Sequence, residues 1–387
     1  MSLFRAYRCW AEVDLNALRE NLAWIRHRVG PLTQIMTVVK ADAYGHGLKE
    51  IASHLMNCGT NAFGVANLHE AYDIRSRGQG WPILMLGACT KDEIEYAIRL
   101  KVMGTVSTLD EAEAYVAVAK KMKATALIQV KVDTGMGRLG VETDEALALV
   151  RQLKNMEEQE GCIRLKGVYT HLAAVEDDED FTKNQLEQFS SLVKQLLSAG
   201  IGLDYTHASS SGGILFEDNS LFNTTRPGLI IYGIAPTGSR VPEGKIQDFL
   251  RPALSLKCRV SLVKNIPAGK TLSYGHTYTS PKPMKVATLT AGYGDGYHRA
   301  ASGKGYVLIH GQRCPILGRI TMDQMIVDVS AVQVSVRNGD VAVLIGRQGE
   351  ESITAAQVAE WAGTIPWEIL TSISYRVHRA YLGINAS

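Results

Sequence analysis

Residues Val102–Gly140 read VMGTVSTLDEAEAYVAVAKKMKATALIQVKVDTGMGRLG, and the pattern changes twice within them. Val102–Val106 is a short apolar run rich in β-branched residues, as expected of a strand buried on both faces. LDEAEAYVAVAKKM then has helical character, with Asp110 an expected N-terminal residue. Thr125–Val132 is largely apolar again, carries Lys131 near its end and leads into a glycine-rich turn and Arg138. Strand, helix and strand in succession make the βαβ unit of a parallel sheet.

The same alternation runs from residue 34 to residue 225. Its apolar runs are Gln34–Val39, Ala62–Ala66, Pro82–Leu86, Val102–Val106, Thr125–Val132, Ile163–Thr170, Leu203–Thr206 and Phe222–Thr225. Between them lie helical patterns such as DEIEYAIRL, opened by Asp92, and NQLEQFSSLVKQLLSAG, closed by Gly200. In the second, Leu186, Phe189, Leu192, Leu196 and Leu197 share one face. Eight such units predict an α/β fold, a (β/α)8 barrel of the TIM type. An open doubly wound sheet would call for a G-x-G-x-x-G turn after its first strand, and none is present. Upstream, WAEVDLNALRENLAWIRHRVG reads as a strand and then a helix capped by Asp14, with Leu18, Leu22, Ile25 and Val29 inward. Beyond about residue 245 the pattern becomes short strands broken by Gly, Pro and Asn, with one helix near Ile353–Trp361. The polar stretch TGSRVPEGKIQDF separates the two regimes. We therefore expect a barrel over 1–245 and a mostly β domain over 246–387.

Composition narrows the function. Of 387 residues, 46% are hydrophobic and 21% charged, and the net charge of +2 gives no pull toward nucleic acid or an anionic membrane. No apolar run reaches the ~20 residues of a membrane span, and Met1–Trp10 lacks the apolar core of a secretory signal. The six cysteines are scattered, without a Cys-x-x-Cys pair, so reduced thiols, no metal site and a cytoplasmic location are expected.

A barrel carries its chemistry at the C-terminal ends of its strands. The first strand ends in VVKADAYGHG with Lys40, the fifth in Lys131 and Arg138, and the sixth in His171. The seventh ends in THASSSGG and the eighth in Arg226 with Pro-Gly following. Singly, each is as well read as a surface charge or a loop residue. Together they form a basic rim suited to an anionic ligand. Ser209–Gly213 and Gly228-Leu229 fall where barrels hold phosphate. A confined lysine beside other cations becomes a nucleophilic amine. Lysine, phosphate cradle and arginine fork together suggest pyridoxal 5′-phosphate held as a Schiff base.

VVKADAYGHG closely resembles the cofactor-attachment motif of the pyridoxal-phosphate-dependent alanine racemases (fold type III). KVDTGMGRLG, YTHLA, RPGLIIYG, SYGHTYT, AGYGDGY, GRITMDQMIVDVS and ISYRVHR resemble that family's other blocks, in its order. The resemblance spans both domains. It implies that Lys40 attaches the cofactor and is the α-proton base facing D-alanine. It implies that Tyr44 and Tyr375 hold the phosphate, with Ser211, Gly228 and Leu229 completing the cradle; Ser210 stands where asparagine is frequent. Arg226 matches the residue that donates to the pyridine nitrogen. Arginine keeps its proton at neutral pH, so that nitrogen stays an acceptor and transamination is disfavoured. His171 matches the residue that orients Arg226. Arg138 and the backbone of Met322, followed by Asp323, match groups that meet the substrate carboxylate. Lys131 matches a lysine that is carbamylated in many members and otherwise a plain amine. Tyr274 matches the second base, facing L-alanine, and Tyr293 an entrance tyrosine, with Tyr278 in the same domain. Thr321 stands where cysteine is frequent. The resemblance further implies a head-to-tail homodimer in which Tyr274 serves the partner's site, and a reaction supplying D-alanine for peptidoglycan. A serine or broad-specificity racemase is the nearest alternative, and Tyr375 favours a small side chain. A pyridoxal-phosphate carrier would lack the second domain and Tyr274, and Arg226 argues against a decarboxylase.

Overall fold

A computed structural model describes residues 7–217, 222–240 and 249–383. After β1 (Cys9–Asp14), a helix (Leu15–Val29) starts where Asp14 Oδ1 accepts from Asn16 N at 2.9 Å. Leu18, Leu22 and Ile25 are buried, as expected, and Val29 is half-buried. The strands that follow are β2 (Gln34–Val38), β3 (Ala62–Val65), β4 (Ile83–Ala88), β5 (Met103–Val106) and β6 (Ala126–Asp133). Next come the two-residue β7 (Val141–Glu142), β8 (Ile163–Tyr169), β9 (Tyr205–His207) and β10 (Thr224–Thr225). Apart from β7, which hangs on β6, they run parallel in the order β10-β2-β3-β4-β5-β6-β8-β9. This is the expected barrel, nearly closed. No backbone ladder joins β9 to β10 among the described residues. The seam is bridged by Asn223, whose Oδ1 accepts from Thr206 N at 2.8 Å, and by Arg226 N donating to Ser209 O at 2.9 Å.

Strand side chains alternate between the helices and the barrel interior. Ile35, Phe63, Ile83, Ile128, Val130 and Val168 belong to the large core shared with the helices. Met36, Ala62, Leu84, Met103, Tyr169 and Tyr205 form a separate cluster inside the barrel. Toward the strand ends the inward positions turn polar: Thr105, Gln129, Lys131, His207 and Arg226 are all buried. Sequence periodicity places Asp110 at a helix start; Thr108 is the cap, its hydroxyl accepting from Glu111 N, and Asp110 lies in the first turn. The helix expected from Asp92 begins later, at Ile94–Arg99.

The second sheet holds β11 (Leu254–Ile266), β14 (Met284–Leu289), β15 (Tyr306–Ile309), β16 (Gln312–Leu317), β17 (Met325–Asp328), β18 (Val341–Gln348), β19 (Glu351–Ile353) and β20 (His378–Leu382). A two-residue pair, β12 (Thr271–Leu272) and β13 (Tyr278–Thr279), stands apart. The sheet also takes in β1, which pairs antiparallel with β11 and parallel with β20. Cys9–Asp14, counted with the barrel segment in the expected 1–245 and 246–387 division, satisfies its backbone groups in the second sheet. Most of the separating stretch TGSRVPEGKIQDF lies outside the described residues. The expected helix is Ala355–Ala362, and a further one, Pro366–Thr371, follows with proline at its first turn.

The two domains meet at the turn after β2. Arg379 Nε donates to Gly45 O at 3.1 Å and Tyr381 Oη to His46 O at 3.1 Å. Gly45 has φ +79°, and a Cβ there would drive into the Leu370 carbonyl. Gly45→Ala combines left-handed strain with that clash. We expect it to lower stability by about 2 kcal/mol or more, read as a fall in thermal midpoint. A Gly30→Ala control has the same φ sign and open space around it; an equal fall in both variants contradicts the role given to the domain contact.

Candidate active site

The site is built from the backbone that leaves β2. Ala41, Asp42, Ala43 and Tyr44 all have φ between 52° and 54°, a left-handed turn made without glycine. L-residues adopt that conformation at a cost of roughly 1–2 kcal/mol each, so neighbouring groups must hold it. Gly45 N donates to Ala41 O at 3.0 Å and Gly47 N to Asp42 O at 2.9 Å. Leu48 N donates to Asp42 Oδ1 at 2.7 Å and Ala41 N to Glu70 Oε1 at 2.7 Å. The turn sets Lys40 at the mouth of the barrel. It also buries Tyr44 on Tyr232, with ring centroids 5.0 Å apart.

Lys40 opens into a cavity of ≈ 500 Å3. Tyr44, Lys131, Arg138, His171, Ser210, Ser211, Arg226, Gly228 and Leu229 line it too, so the fold gathers nearly all the barrel residues singled out from sequence. Arg226 is fully buried at its floor. Its Nη2 donates to Thr170 O at 2.7 Å, Ala208 O at 2.8 Å and His171 Nδ1 at 3.2 Å. Its Nη1 meets His207 Nδ1 at 2.5 Å, and His207 Nε2 in turn meets Gln129 Oε1 at 2.8 Å. An amide oxygen can only accept, so His207 carries its hydrogen on Nε2 and offers Nδ1 to the arginine. The guanidinium also lies 5.3 Å from the Tyr169 ring centroid, and that ring stacks on His207 at 4.9 Å.

These cations set one another's proton affinities. Burial and the charges of Arg226, Lys131 and Arg138 hold His171 well below the usual histidine range, so it is neutral. Burial, Arg226 and Lys131 do the same to His207. Arg226 is lowered by burial to about 10 and stays charged at neutral pH. Lys131 is buried, donates to Val132 O at 2.8 Å and is brought down to about 7 by burial, with Arg226 adding to the fall. Lys40 is lowered by burial first and then by Arg138, while Glu70 acts in the opposite sense. Burial raises the Tyr44 hydroxyl, which remains a donor. Gly228 leaves room for that hydroxyl, since a Cβ at residue 228 would stand 2.6 Å from it. Ser211 Oγ accepts from Gly228 N at 3.0 Å.

The second domain behaves differently. Tyr274, Met322 and Tyr293 are 68%, 53% and 41% exposed and do not line the Lys40 cavity of their own chain. Tyr274 lies beside Ser273, Arg319 and Thr321 at a separate depression. Tyr375, expected at the phosphate, is 99% exposed, and the cavity wall instead contains Ile365 and Trp367 from the unforeseen helix and its approach. Sequence reasoning also passed over His207, Gln129, Tyr169 and Glu70. Gln129 left a signal: it is a polar residue at a buried position in a largely apolar run.

Residues 13–236 match the family model described as alanine racemase, N-terminal domain, and residues 253–381 match alanine racemase, C-terminal domain. The alanine racemase of Carboxydothermus hydrogenoformans is 42% identical over 376 residues, 96% of this chain and 99% of that one. The alanine racemase of Desulfosudis oleivorans is 37% identical, covering 98% of each chain. Among solved structures, alanine racemase of Clostridium difficile 630 superposes with TM-score 0.90 at 33% identity, over 98% of this chain and 97% of that one. Alanine racemase of Bacillus anthracis with bound L-Ala-P superposes with TM-score 0.87 at 33% identity, over 97% and 95%.

Proposed function

The chain belongs to the alanine racemase family, and from that premise we infer that it interconverts L-alanine and D-alanine. The observation that carries the reading is Lys40, an amine of lowered proton affinity at the barrel mouth, facing a cavity floored by Arg226. We assign pyridoxal 5′-phosphate to that cavity. Its residues fit the group: an amine to attach it, a donor-only guanidinium below, and a phosphate-sized cradle where Gly228 admits the Tyr44 hydroxyl. Bound there, the cofactor supplies the electron-withdrawing ring that makes the α-hydrogen of an amino acid removable.

This chain's own residues do the rest. Lys40 Nζ holds the cofactor and moves the α-proton on the face toward D-alanine. Desolvation and Arg138 keep a larger share of it unprotonated than a surface lysine would have. Arg226, charged at neutral pH, would donate to the ring nitrogen and leave it an acceptor, which would disfavour transamination. His171 and His207, both neutral, fix the guanidinium from two sides. Ser211, Gly228, Leu229 and Tyr44 orient the phosphate, and Arg138 meets the substrate carboxylate. Lys131 at about 7 is partly the neutral amine that adds carbon dioxide. The new N–C bond, with one proton released to solvent, would leave an anion beside Arg138 and Arg226 in place of a third cation.

The opposite face needs a second base. Tyr274 is exposed and does not line the cavity of its own chain, so we assign that role to Tyr274 of the partner subunit in a head-to-tail homodimer. The partner's Met322 and Tyr293 would arrive with it. Tyr375, expected at the phosphate, is fully exposed in the single chain. The described residues include no helix long and apolar enough to cross a membrane. We place the enzyme in the cytoplasm, supplying D-alanine for peptidoglycan. Circular dichroism of L-alanine, L-serine and L-lysine incubated with the purified protein tests the assignment; loss of signal for serine or lysine but not alanine would overturn it.

Arg226→Glu offers the ring nitrogen an acid in place of a pure donor. We expect racemisation to slow by about 10²-fold or more and pyridoxamine 5′-phosphate per turnover to rise. An unchanged partition between the two products would show that the guanidinium is not what suppresses transamination.

A further inference from the structure

Among the described residues, three helices open on a cap whose side chain accepts a backbone N–H and which is followed three positions later by Glu or Gln, and one of them is used differently. In Thr108–Glu111 the carboxylate turns back on its own helix, accepting from Ser107 N at 2.5 Å and Thr108 N at 3.2 Å through a single oxygen. In Thr354–Gln357 the box likewise closes on itself. At the third, Asn67 Oδ1 accepts from Glu70 N at 3.0 Å, which is the ordinary half of the motif. The other half is divided. Glu70 Oε2 accepts from Ala66 N at 2.7 Å, while Oε1 reaches to another element and accepts from Ala41 N at 2.7 Å. Ala41 follows Lys40 directly and is the first residue of the left-handed turn.

We propose that Glu70 is a positioning residue for Lys40: it ties the left-handed turn to the end of β3 and sets a negative charge behind the reacting amine. The groups facing Lys40 make this charge distinctive. Arg138, Arg226, Lys131 and His171 come from other strand ends of the barrel, and none is acidic. Glu176 lines the same cavity, but Glu70 is the carboxylate that opposes Arg138 at Lys40. Two 2.7 Å bonds from backbone N–H groups hold Glu70 on two strand ends at once. Loosening it would free the backbone on which Lys40 stands and remove the counter-charge together. The inference rests on the reading of Lys40 as the cofactor-bearing amine, but its geometry does not involve the second subunit.

Glu70→Gln keeps the size of the side chain and one accepting oxygen and removes the charge. Glu70→Ala removes both bonds. The test uses the full-length chain stripped of cofactor. Acylation of Lys40 by a lysine-selective reagent is followed against pH by peptide mass spectrometry, with thermal melting as the control for folding. Loss of a nearby carboxylate disfavours the ammonium. The labelling midpoint should therefore fall by about half to one pH unit in Glu70→Gln, roughly three- to tenfold more label at a fixed pH below the midpoint. In the loaded protein the acid limb of the kcat profile should move the same way, and Glu70→Ala should lose pyridoxal 5′-phosphate on dialysis faster than Glu70→Gln. An unchanged Lys40 midpoint in a normally melting Glu70→Gln variant overturns the proposal and leaves Glu70 a helix cap. Should Glu70→Ala fail to fold, Glu70→Gln decides alone. Failure of the racemase reading would appear separately, as a wild-type chain inert toward alanine that still shows the midpoint shift.

Discussion

Lys40→Ala should abolish alanine racemisation, by about 10⁴-fold or more, and covalent cofactor attachment should be lost with it. One nitrogen is assigned both purposes, so the two losses are expected together. The fold should survive. The left-handed turn is held by backbone groups and by Asp42 and Glu70, none of which depends on the Lys40 ammonium. The check is absorbance of the purified variant, borohydride reduction followed by mass analysis, and circular dichroism of alanine. Borohydride-reducible cofactor retained on the variant chain would falsify the assignment of Lys40. Loss of attachment with racemisation intact would separate the two roles and remove Lys40 as a base.

Activity should return when two dead chains are mixed. Lys40→Ala and Tyr274→Ala homodimers are each expected to lose at least ~10³-fold, because racemisation through two faces needs a base on each. In a head-to-tail mixed dimer, one site has both bases and the other has neither, so about half of the wild-type rate per mixed dimer should reappear. The physical ground is that Tyr274 is 68% exposed and lies outside the cavity containing its own Lys40. Nearby cations favour the phenolate that a tyrosine base requires, and the barrel cavity holds Arg138 and Arg226. The measurement is racemisation after co-expression and tandem-tag purification of the mixed species. A mixed dimer as inactive as its parents removes the shared-site arrangement and returns Tyr274 to its own chain.

Much of this molecule is decided locally, and local decisions can be read in sequence. β-branched runs alternating with amphipathic helices state a parallel barrel because each pattern records which face of its own element is buried. Lys40, Lys131, His171 and Arg226 were legible as a set because a barrel brings every strand's end to one rim, so position along a strand stands in for position in space. Gln129 obeys the same logic one layer deeper, as a polar residue at a buried position in a largely apolar run. Other features involve partners far apart in the chain. Cys9–Asp14 has the same strand-then-helix pattern as a barrel unit, but its backbone groups are satisfied by β11 and β20, and pairing leaves no trace in periodicity. Tyr375 sits in a block that matches the phosphate position, yet the fold leaves it fully exposed, because exposure depends on what packs above a residue. The turn after Lys40 lacks the glycines that usually mark positive φ. Its conformation is imposed by Glu70 and by contacts with Leu370 and Arg379 in the other domain, and only the tertiary structure brings those groups together.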